Sequence, residues 1–443
     1  MSRLIYAWVL TTLLGIPAAH AQITPELKIE ITRGQEAAIS IGVVPFGWQG
    51  PGAAPEDIAE VVSSDLLRSG RFEPLARDAL PALPTSDSQV DFPRWKRRTR
   101  YLVVGNVRPG GSVGNYQVQF RLFDVVIPDK QRGLGGTQLV GLNFQRSANQ
   151  LRGTAHDIAD QIYEAIIGEP GAFNSNIAYI TETRDKNNNK RYALKIADSD
   201  GYNAFPALES TQPIMSPTWS PDGARIAYVS FEGRRARIYI QELATGKRTE
   251  VAAYRGINGA PAFSPDGTRI AMTLSKDGNT EVYVKHLRTN QLRRLTNNPA
   301  IDTEPTWSPD GRAIAFTSNR GGSPQIYMVS ANGGPAKRLT FDGRYNAGPS
   351  FSPDGRNIAV VHQTEDGGYR IGVFDLERQR VKVLTKTRRD DSPSFAPNGA
   401  MVLYSTTDFD GPTLTAVTVV GGFSQSFALR SGIVRDPAWG PTR

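Results

Sequence analysis

The chain contains no cysteine among its 443 residues, and its four histidines are scattered. The missing thiols exclude a disulfide scaffold, a thiolate zinc site, a nucleophilic cysteine and a lipidated cysteine. Beyond the first 21 residues the histidines are His156, His286 and His362. None stands at metal-ligand spacing from another, so no histidine metal motif is expected. Past the leader described below, no stretch approaches the roughly 18 consecutive apolar residues that a membrane span needs. Acidic residues are outnumbered, 43 against 51 Lys and Arg, giving a net charge of +8 and a pI near 9.5. The basic clusters Lys96-Arg97-Arg98 with Arg100, and Arg234-Arg235 with Arg237, read as solvated faces because no nucleic-acid motif accompanies them. Attraction to anionic envelope surfaces accounts better for such a charge in an exported protein.

What the chain has in quantity is 43 glycines and 30 prolines. That abundance implies many tight turns and therefore β-rich structure. The segment 1–21 carries Arg3, an apolar run from Leu4 to Ile16 and Ala19-His20-Ala21, the three parts of a secretory signal with an A-x-A cleavage site. Cleavage is expected between Ala21 and Gln22, yielding an exported, soluble product.

The dominant pattern is a repeat. Trp219-Ser-Pro-Asp-Gly223 returns with aromatic residues at Phe263, Trp307, Phe351, Phe395 and Trp439, each 44 residues after the last. The fifth copy weakens to Phe395-Ala-Pro-Asn-Gly399 and the sixth to Trp439-Gly-Pro441, and prolines 217, 261, 305, 349, 393 and 437 stand two residues ahead. Ser-Pro-Asp-Gly makes a tight turn: Pro sets φ, Asp caps the backbone and Gly supplies φ > 0. After each turn comes an alternating strand such as Arg225-Ile-Ala-Tyr-Val229. A Gly-rich loop and a strand bearing Ile238-Tyr239, Val282-Tyr283 or Ile326-Tyr327 follow. A last short strand is expected at Leu295-Thr296, Leu339-Thr340 and Leu384-Thr385. Four short strands per 44 residues describe a propeller blade.

Ile177-Ala178-Tyr179 matches the second strand of a blade without a preceding turn, and Asp436-Pro-Ala-Trp439 is a first strand with nothing after it. The two remnants complete one blade, which favours a closed ring over an open solenoid. The expected fold is thus an α/β N-terminal domain over 22–167, a linker over 168–176, and an all-β six-bladed propeller over 177–443 closed by the C-terminal strand. In the first domain, 38–44, 101–104 and 116–125 read as strands. Ile58, Val61, Val62 and Leu66 lie at helical spacing, as do Leu151, Ala155, Ile158, Ala159, Ile162, Tyr163 and Ile166. One sheet with helices on one face, and a surface loop over 79–93, are expected.

If the first strand of each blade lines the channel, the turns after it share one end of the propeller. The loops leading into it, 254–260, 298–304, 344–348 and 388–392, share the other. The linker joins on the turn side, which leaves the lead-in mouth free for a partner.

These features together resemble the TolB family, periplasmic propeller proteins of the Tol–Pal envelope system. The leader carries the likeness, with Ile41-Gly-Val-Val-Pro-Phe46, Gly171-Ala-Phe173 ahead of Ile177, the repeated turn motifs, Asn258-Gly-Ala-Pro-Ala-Phe263 and Thr303-Glu-Pro-Thr-Trp307. The resemblance implies an adaptor with no enzymatic activity and no cofactor. Its partners would be the lipoprotein Pal at the propeller mouth and TolA at the mature N-terminus, with other outer-membrane proteins as further candidates. It would support envelope integrity and outer-membrane constriction during cell division. By that likeness the Pal-facing positions are Ile257, Asn258, Gly259, Ala260, Thr303 and Glu304. Asp302, Asn346, Ala347 and Asp391 are added by blade equivalence. Position 257 departs from relatives that carry His there. The TolA-facing segment begins Gln22, Ile23, Thr24, Pro25, Glu26 and Leu27 and runs to about Arg33. Docking of that segment would couple the two partners. A monomer is expected, peripheral to membranes through its partners, with no nucleic acid bound.

Other chemistry fails on context. Gly110-Gly-Ser-Val-Gly114 fits G-x-S-x-G, but a strand rather than a helix follows it at Tyr116, so it reads as a hairpin turn. Asp185-Lys-Asn-Asn-Asn189 begins like a calcium loop yet lacks the sixth-place Gly and has Ile196 where a bidentate Glu belongs, so it reads as a hairpin tip. A propeller hydrolase or quinoprotein would need an acid, base or nucleophile set converging on the channel, and a peptidase would need a further domain. Carbohydrate binding at the mouth stays open as an alternative, since Trp and Asp lie nearby.

Overall fold

The computed structural model describes residues 27–32, 38–408, 411–429 and 432–443; the expected leader, its cleavage point at Ala21 and Gln22, and Ile23, Thr24, Pro25 and Glu26 lie outside them. Among the described residues no helix is long and apolar enough to cross a membrane.

The N-terminal region is built on β2 (Ile39–Val43), β3 (Gly47–Trp48), β4 (Phe72–Pro74), β5 (Tyr101–Pro109), β6 (Asn115–Asp124) and β7 (Thr137–Ser147), after β1 (Leu27–Thr32), which belongs elsewhere. Their order is β4-β2-β5-β6-β7, with β3 also on β5. The β4, β2 and β5 pairings are parallel and the last two antiparallel. Helices α1 (Ile58–Arg68) and α3 (Leu151–Ile167) cover one face. Their apolar stripes meet Ile41, Val43, Val103 and Phe120 in one core. Asp57 caps α1 by accepting from the Glu60 amide, and Gly168, at φ 84°, ends α3 in the left-handed conformation that glycine tolerates best.

The other face differs from the expectation of one covered side. A short helix, α2 (Phe92–Lys96), seats Phe92 and the wholly buried Trp95 against Val44, Leu102, Val104 and Phe123. The Pro- and Ser-rich stretch 79–93 is therefore partly a lid on a second core and not wholly a surface loop. Its signal was hidden because two large apolar residues in five carry no periodicity.

Six sheets of antiparallel strands follow, one per blade. Blade one consists of the strands Ser175–Arg184, Lys190–Asp198 and Phe205–Ser210, with Ile433–Thr442 as its inner strand. Thus the chain's tail closes the ring, pairing Trp439 opposite Ile177 and Thr442 opposite Ser175. Arg443 adds an ion pair to Asp198 at 2.6 Å. The inner strands Ile214–Trp219, Asn258–Phe263, Asp302–Trp307, Asn346–Phe351, Asp390–Phe395 and Ile433–Thr442 contact one another in order and return to the first.

Each turn motif works as its chemistry requires. In blade two the Ser220 hydroxyl accepts from the Arg225 amide, Asp222 accepts from Ala224 N at 3.0 Å, and Gly223 sits at φ 67°. The Leu-Thr pairs are not in the outer strands, which end just before them at Arg294, Arg338 and Val383. The Thr hydroxyls instead accept from the amides of Val282, Ile326 and Ile371 on the neighbouring strand. A side-chain oxygen there replaces the missing ladder partner.

The turns lie on the linker side, where Asn398 donates to the Pro170 carbonyl at 3.0 Å. The segment β1 pairs antiparallel with Ser424–Leu429, so blade six has five strands. Of the six residues named as facing TolA, Leu27 alone is among the described residues, and it opposes Leu429 in this pairing. The sequence left open whether this segment is docked; over 27–32 its backbone is a strand on a blade edge.

Candidate functional site: the propeller mouth

The mouth is shaped by a defect repeated in every blade. Residues 216, 260, 304, 348, 392 and 436 are Ser, Ala, Glu, Gly, Ser and Asp, and all have left-handed φ, between 44° and 60°. At the same place each inner strand slips register against its neighbour. A proline follows each, and a residue before proline is normally driven to extended backbone. Five non-glycine residues accept a conformation that costs about 1 kcal/mol apiece. The surrounding blades fix them there, and the bulges bend each inner strand at that point. Ala260 and Glu304 belong to the set reached from the sequence; Ser216, Ser392 and Asp436 were missed. Stepping by 44 from position 260 would have found all three.

The bulges carry hydrogen bonds from blade to blade. The Gly348 amide donates to Glu304 at 3.0 Å and the Ser216 amide to Asp436 at 3.0 Å, while Thr317 donates to Glu304 at 2.7 Å. The Glu304 amide donates in turn to Thr273 at 3.2 Å, and Thr303 meets Thr273 at 3.4 Å. Glu304 and Asp391 keep surface open to channel water, yet protein encloses them. Burial therefore lifts both carboxyls above their ordinary values, as it does for Asp436, against the hydrogen bonds each accepts. Mutual repulsion through Asp391 adds to the rise at Glu304 and Asp436. The Tyr345 phenol is pushed up to about 12 by burial and then by Glu304 and Asp391. An acidic floor thus lies beneath the mouth.

Around that floor one blade-equivalent position carries apolar side chains in every blade but one, where Arg389 stands. Ile257, Ile301 and Ile433 are 50%, 49% and 38% exposed. Tyr345 holds the same place in its blade and packs edge-on against Tyr369, ring centres 5.1 Å apart. Of these only Ile257 was picked out from the sequence.

The other expected residues divide. Gly259, Ala260 and Thr303 are half-buried beside the bulges, and Ala347 is buried. Asn258, Asp302 and Asn346 do not present their side chains outward as expected; they are at most 1% exposed. Asn258 donates to the Tyr254 carbonyl at 2.7 Å and accepts from its amide at 2.9 Å. Asp302 holds Arg320 at 2.5 Å, and Asn346 donates to Gln325 at 2.9 Å and to the Asp342 carbonyl at 2.7 Å. These residues staple the lead-in loops from within, because buried polar groups must find partners. Blade equivalence in sequence marks a position without saying which way its side chain turns.

Two stretches match descriptions of known domains: residues 27–131 match the TolB amino-terminal domain and residues 163–443 the TolB beta propeller domain. The chain is 56% identical to the Tol-Pal system protein TolB of Nitrosococcus oceani over 98% of its own length and 96% of that protein's. It is 54% identical to the protein of the same name from Pseudomonas syringae pv. syringae, covering 96% of each. The chain belongs to the TolB family. The crystal structure of TolB from Acinetobacter baumannii is similar throughout, with TM-score 0.84, 38% identity, and coverage of 94% of this chain and 100% of that one. The relatives are named as Tol-Pal system proteins and not as enzymes, in keeping with the non-enzymatic reading from sequence.

Proposed function

We propose that this TolB-family chain is a periplasmic adaptor that holds Pal in the propeller mouth and engages TolA through its N-terminal segment. It thereby supports envelope integrity and outer-membrane constriction during division. The observation that carries this reading is the mouth itself: a ring of six locked bulges with an apolar collar over an acidic floor. A rigid ring of loops loses little entropy when a partner seats on it. Exposed isoleucines at equivalent positions give a folded partner apolar area to cover. The contact surface on this reading comprises Ile257, Gly259, Ala260, Thr303, Glu304 and Asp391, joined by Ile301, Tyr345 and Ile433. Asn258, Asp302, Asn346 and Ala347 hold that surface in shape. At the N-terminus, Gln22, Ile23, Thr24, Pro25, Glu26 and Leu27 open the segment that meets TolA, and an extended backbone such as β1 is the form that adds to a sheet edge. The leader read from sequence supports a periplasmic location.

The test is capture by the immobilised mature protein. Purified Pal and purified TolA should each be retained, and deletion of 22–33 should abolish TolA retention while the propeller, short of one edge strand, still folds. Retention of neither partner would overturn the proposal, as would a truncated chain that still holds TolA.

A further inference from the structure

Where the α/β region meets the propeller lies a group of buried charges that no reading of the mouth uses. Asp65 and Arg68 come from α1, Arg152 and His156 from α3, and Ser199 and Asp200 from the turn that ends the blade-one strand Lys190–Asp198. Asp65, His156 and Asp200 are 0%, 1% and 4% exposed. His156 Nδ1 lies 2.6 Å from Asp65 Oδ2, and its Nε2 faces Asp200 Oδ2 at 3.6 Å. Arg68 pairs with Asp65 and also donates to the Ser199 carbonyl at 3.0 Å. Arg152 pairs with Asp200, reaches Glu56 at 3.6 Å, and lies 3.6 Å over the ring of Tyr202.

Both ring nitrogens of His156 therefore look at carboxylate oxygens, one on each side of the junction. A neutral imidazole has one N–H and must turn a lone pair toward one of them; only the imidazolium presents an N–H to both. The charge balance agrees. Glu56, Asp65 and Asp200 stand against two guanidinium groups, and one proton on His156 closes the difference. Asp160, one turn further along α3, adds another negative charge when ionised. Burial opposes the charged ring, but the Asp65 carboxylate, its hydrogen bond and Asp200 together hold the imidazole above its ordinary value. The donor atoms of Asp65, His156 and Asp200 lie within 4.8 Å of one another, a spacing a metal ion could bridge. Both carboxylates already have guanidinium partners, however, so a further cation would face Arg68 and Arg152 unscreened.

We propose that His156 is an imidazolium rivet between the α/β region and the propeller, and that loss of its proton loosens the joint. The sign follows from linkage. A histidine whose folded state favours the proton adds stability that is complete below about pH 6.5 and is lost as pH rises through the folded value. The pieces that separate are specific: α1 and α3 would stay on their own sheet through their apolar core, while the turn bearing Ser199 and Asp200 would release. This device does not depend on what binds at the mouth.

The absence of native cysteine makes the test clean. Spin labels at Val113→Cys and Ala244→Cys, both exposed, report the distance between region and propeller in the mature chain. The His156 ring resonances are titrated in parallel, assigned by their loss in His156→Gln. At about pH 6 the distance distribution should be narrow, and by about pH 9 its width should at least double, following the His156 titration. His156→Gln should be broad at both values. Asp200→Asn, which keeps the Asp65 contact and guards against a misfolded His156 variant, should show no step. A ring that titrates at or below the ordinary value, or a wild-type width that does not change with pH, overturns the proposal. So does zinc chloride that restores the narrow distribution at high pH in wild type but not in His156→Gln.

Discussion

Gly171 offers a direct measure of how firmly the linker is tied to α3. The Asp160 carboxylate accepts from the Phe173 amide at 2.7 Å and from the Asn174 amide at 3.0 Å, and Asp157 accepts from the Asn174 side chain at 2.5 Å. Such contact brings backbone so near that a Cβ on Gly171 would lie 2.0 Å from Asp160 Oδ1 and 2.6 Å from its Cα. The Asp160 side chain could swing aside, but its Cα could not, because Ile158, Ala159 and Ile162 on the same helix are fully buried. Gly171→Ala must therefore push the linker away and break both amide bonds to Asp160. Each is a hydrogen bond to a charged group, of about 1.5–3 kcal/mol, and the loss should total about 3–6 kcal/mol. Burial already raises the Asp160 carboxyl to about 6, and removing its two donors should raise it further. Urea unfolding of the mature chain, followed by tryptophan fluorescence and by calorimetry, measures the cost. Asp160→Ala in the Gly171→Ala background should recover little of the loss, since the Cα clash stays and the Phe173 and Asn174 amides still lack their acceptor. A Gly171→Ala protein within about 0.5 kcal/mol of wild type would refute the reasoning, since that is the range of an ordinary surface change.

The mouth offers three further tests. Ser392, at φ 55°, should accept Gly within about 1 kcal/mol but lose 2 kcal/mol or more on change to Val, and equal effects in denaturant melts would remove the strain argument. Glu304→Gln should stabilise the fold at neutral pH by up to about 1 kcal/mol, since water in the channel screens the charge. Because the folded carboxyl of Glu304 is raised, wild-type stability should fall as pH climbs from its ordinary value of 4.5 through the folded one, a slope that the Gln variant flattens in pH-dependent melts. Thr303→Arg and Ala260→Arg should each weaken Pal binding at least tenfold, about 1.4 kcal/mol, without loss of fold, and unchanged calorimetric affinity in both would take these positions out of the contact surface.

The propeller was legible before any coordinate because its information is local and repeated. A Ser-Pro-Asp-Gly turn needs its own few residues, and each 44-residue copy states the same strand pattern again. Closure was legible too, since the unmatched halves at Ile177 and Trp439 can be satisfied only by each other. The hairpin tips at 110–114 and 185–189 followed from turn chemistry in the same way. Three things waited for the tertiary structure. Side-chain direction at the mouth depends on bulges, which set Asn258, Asp302 and Asn346 inward while leaving Ile301 and Ile433 in the open. The second face of the α/β sheet depends on Trp95 finding a pocket lined by residues from three separate strands. The charges around His156 come together only when α1, α3 and a blade-one turn meet, and sequence separations of 91 between Asp65 and His156 carry no trace of it. Local geometry is written in neighbouring residues; the burial of a charge is decided by whatever the rest of the chain brings beside it.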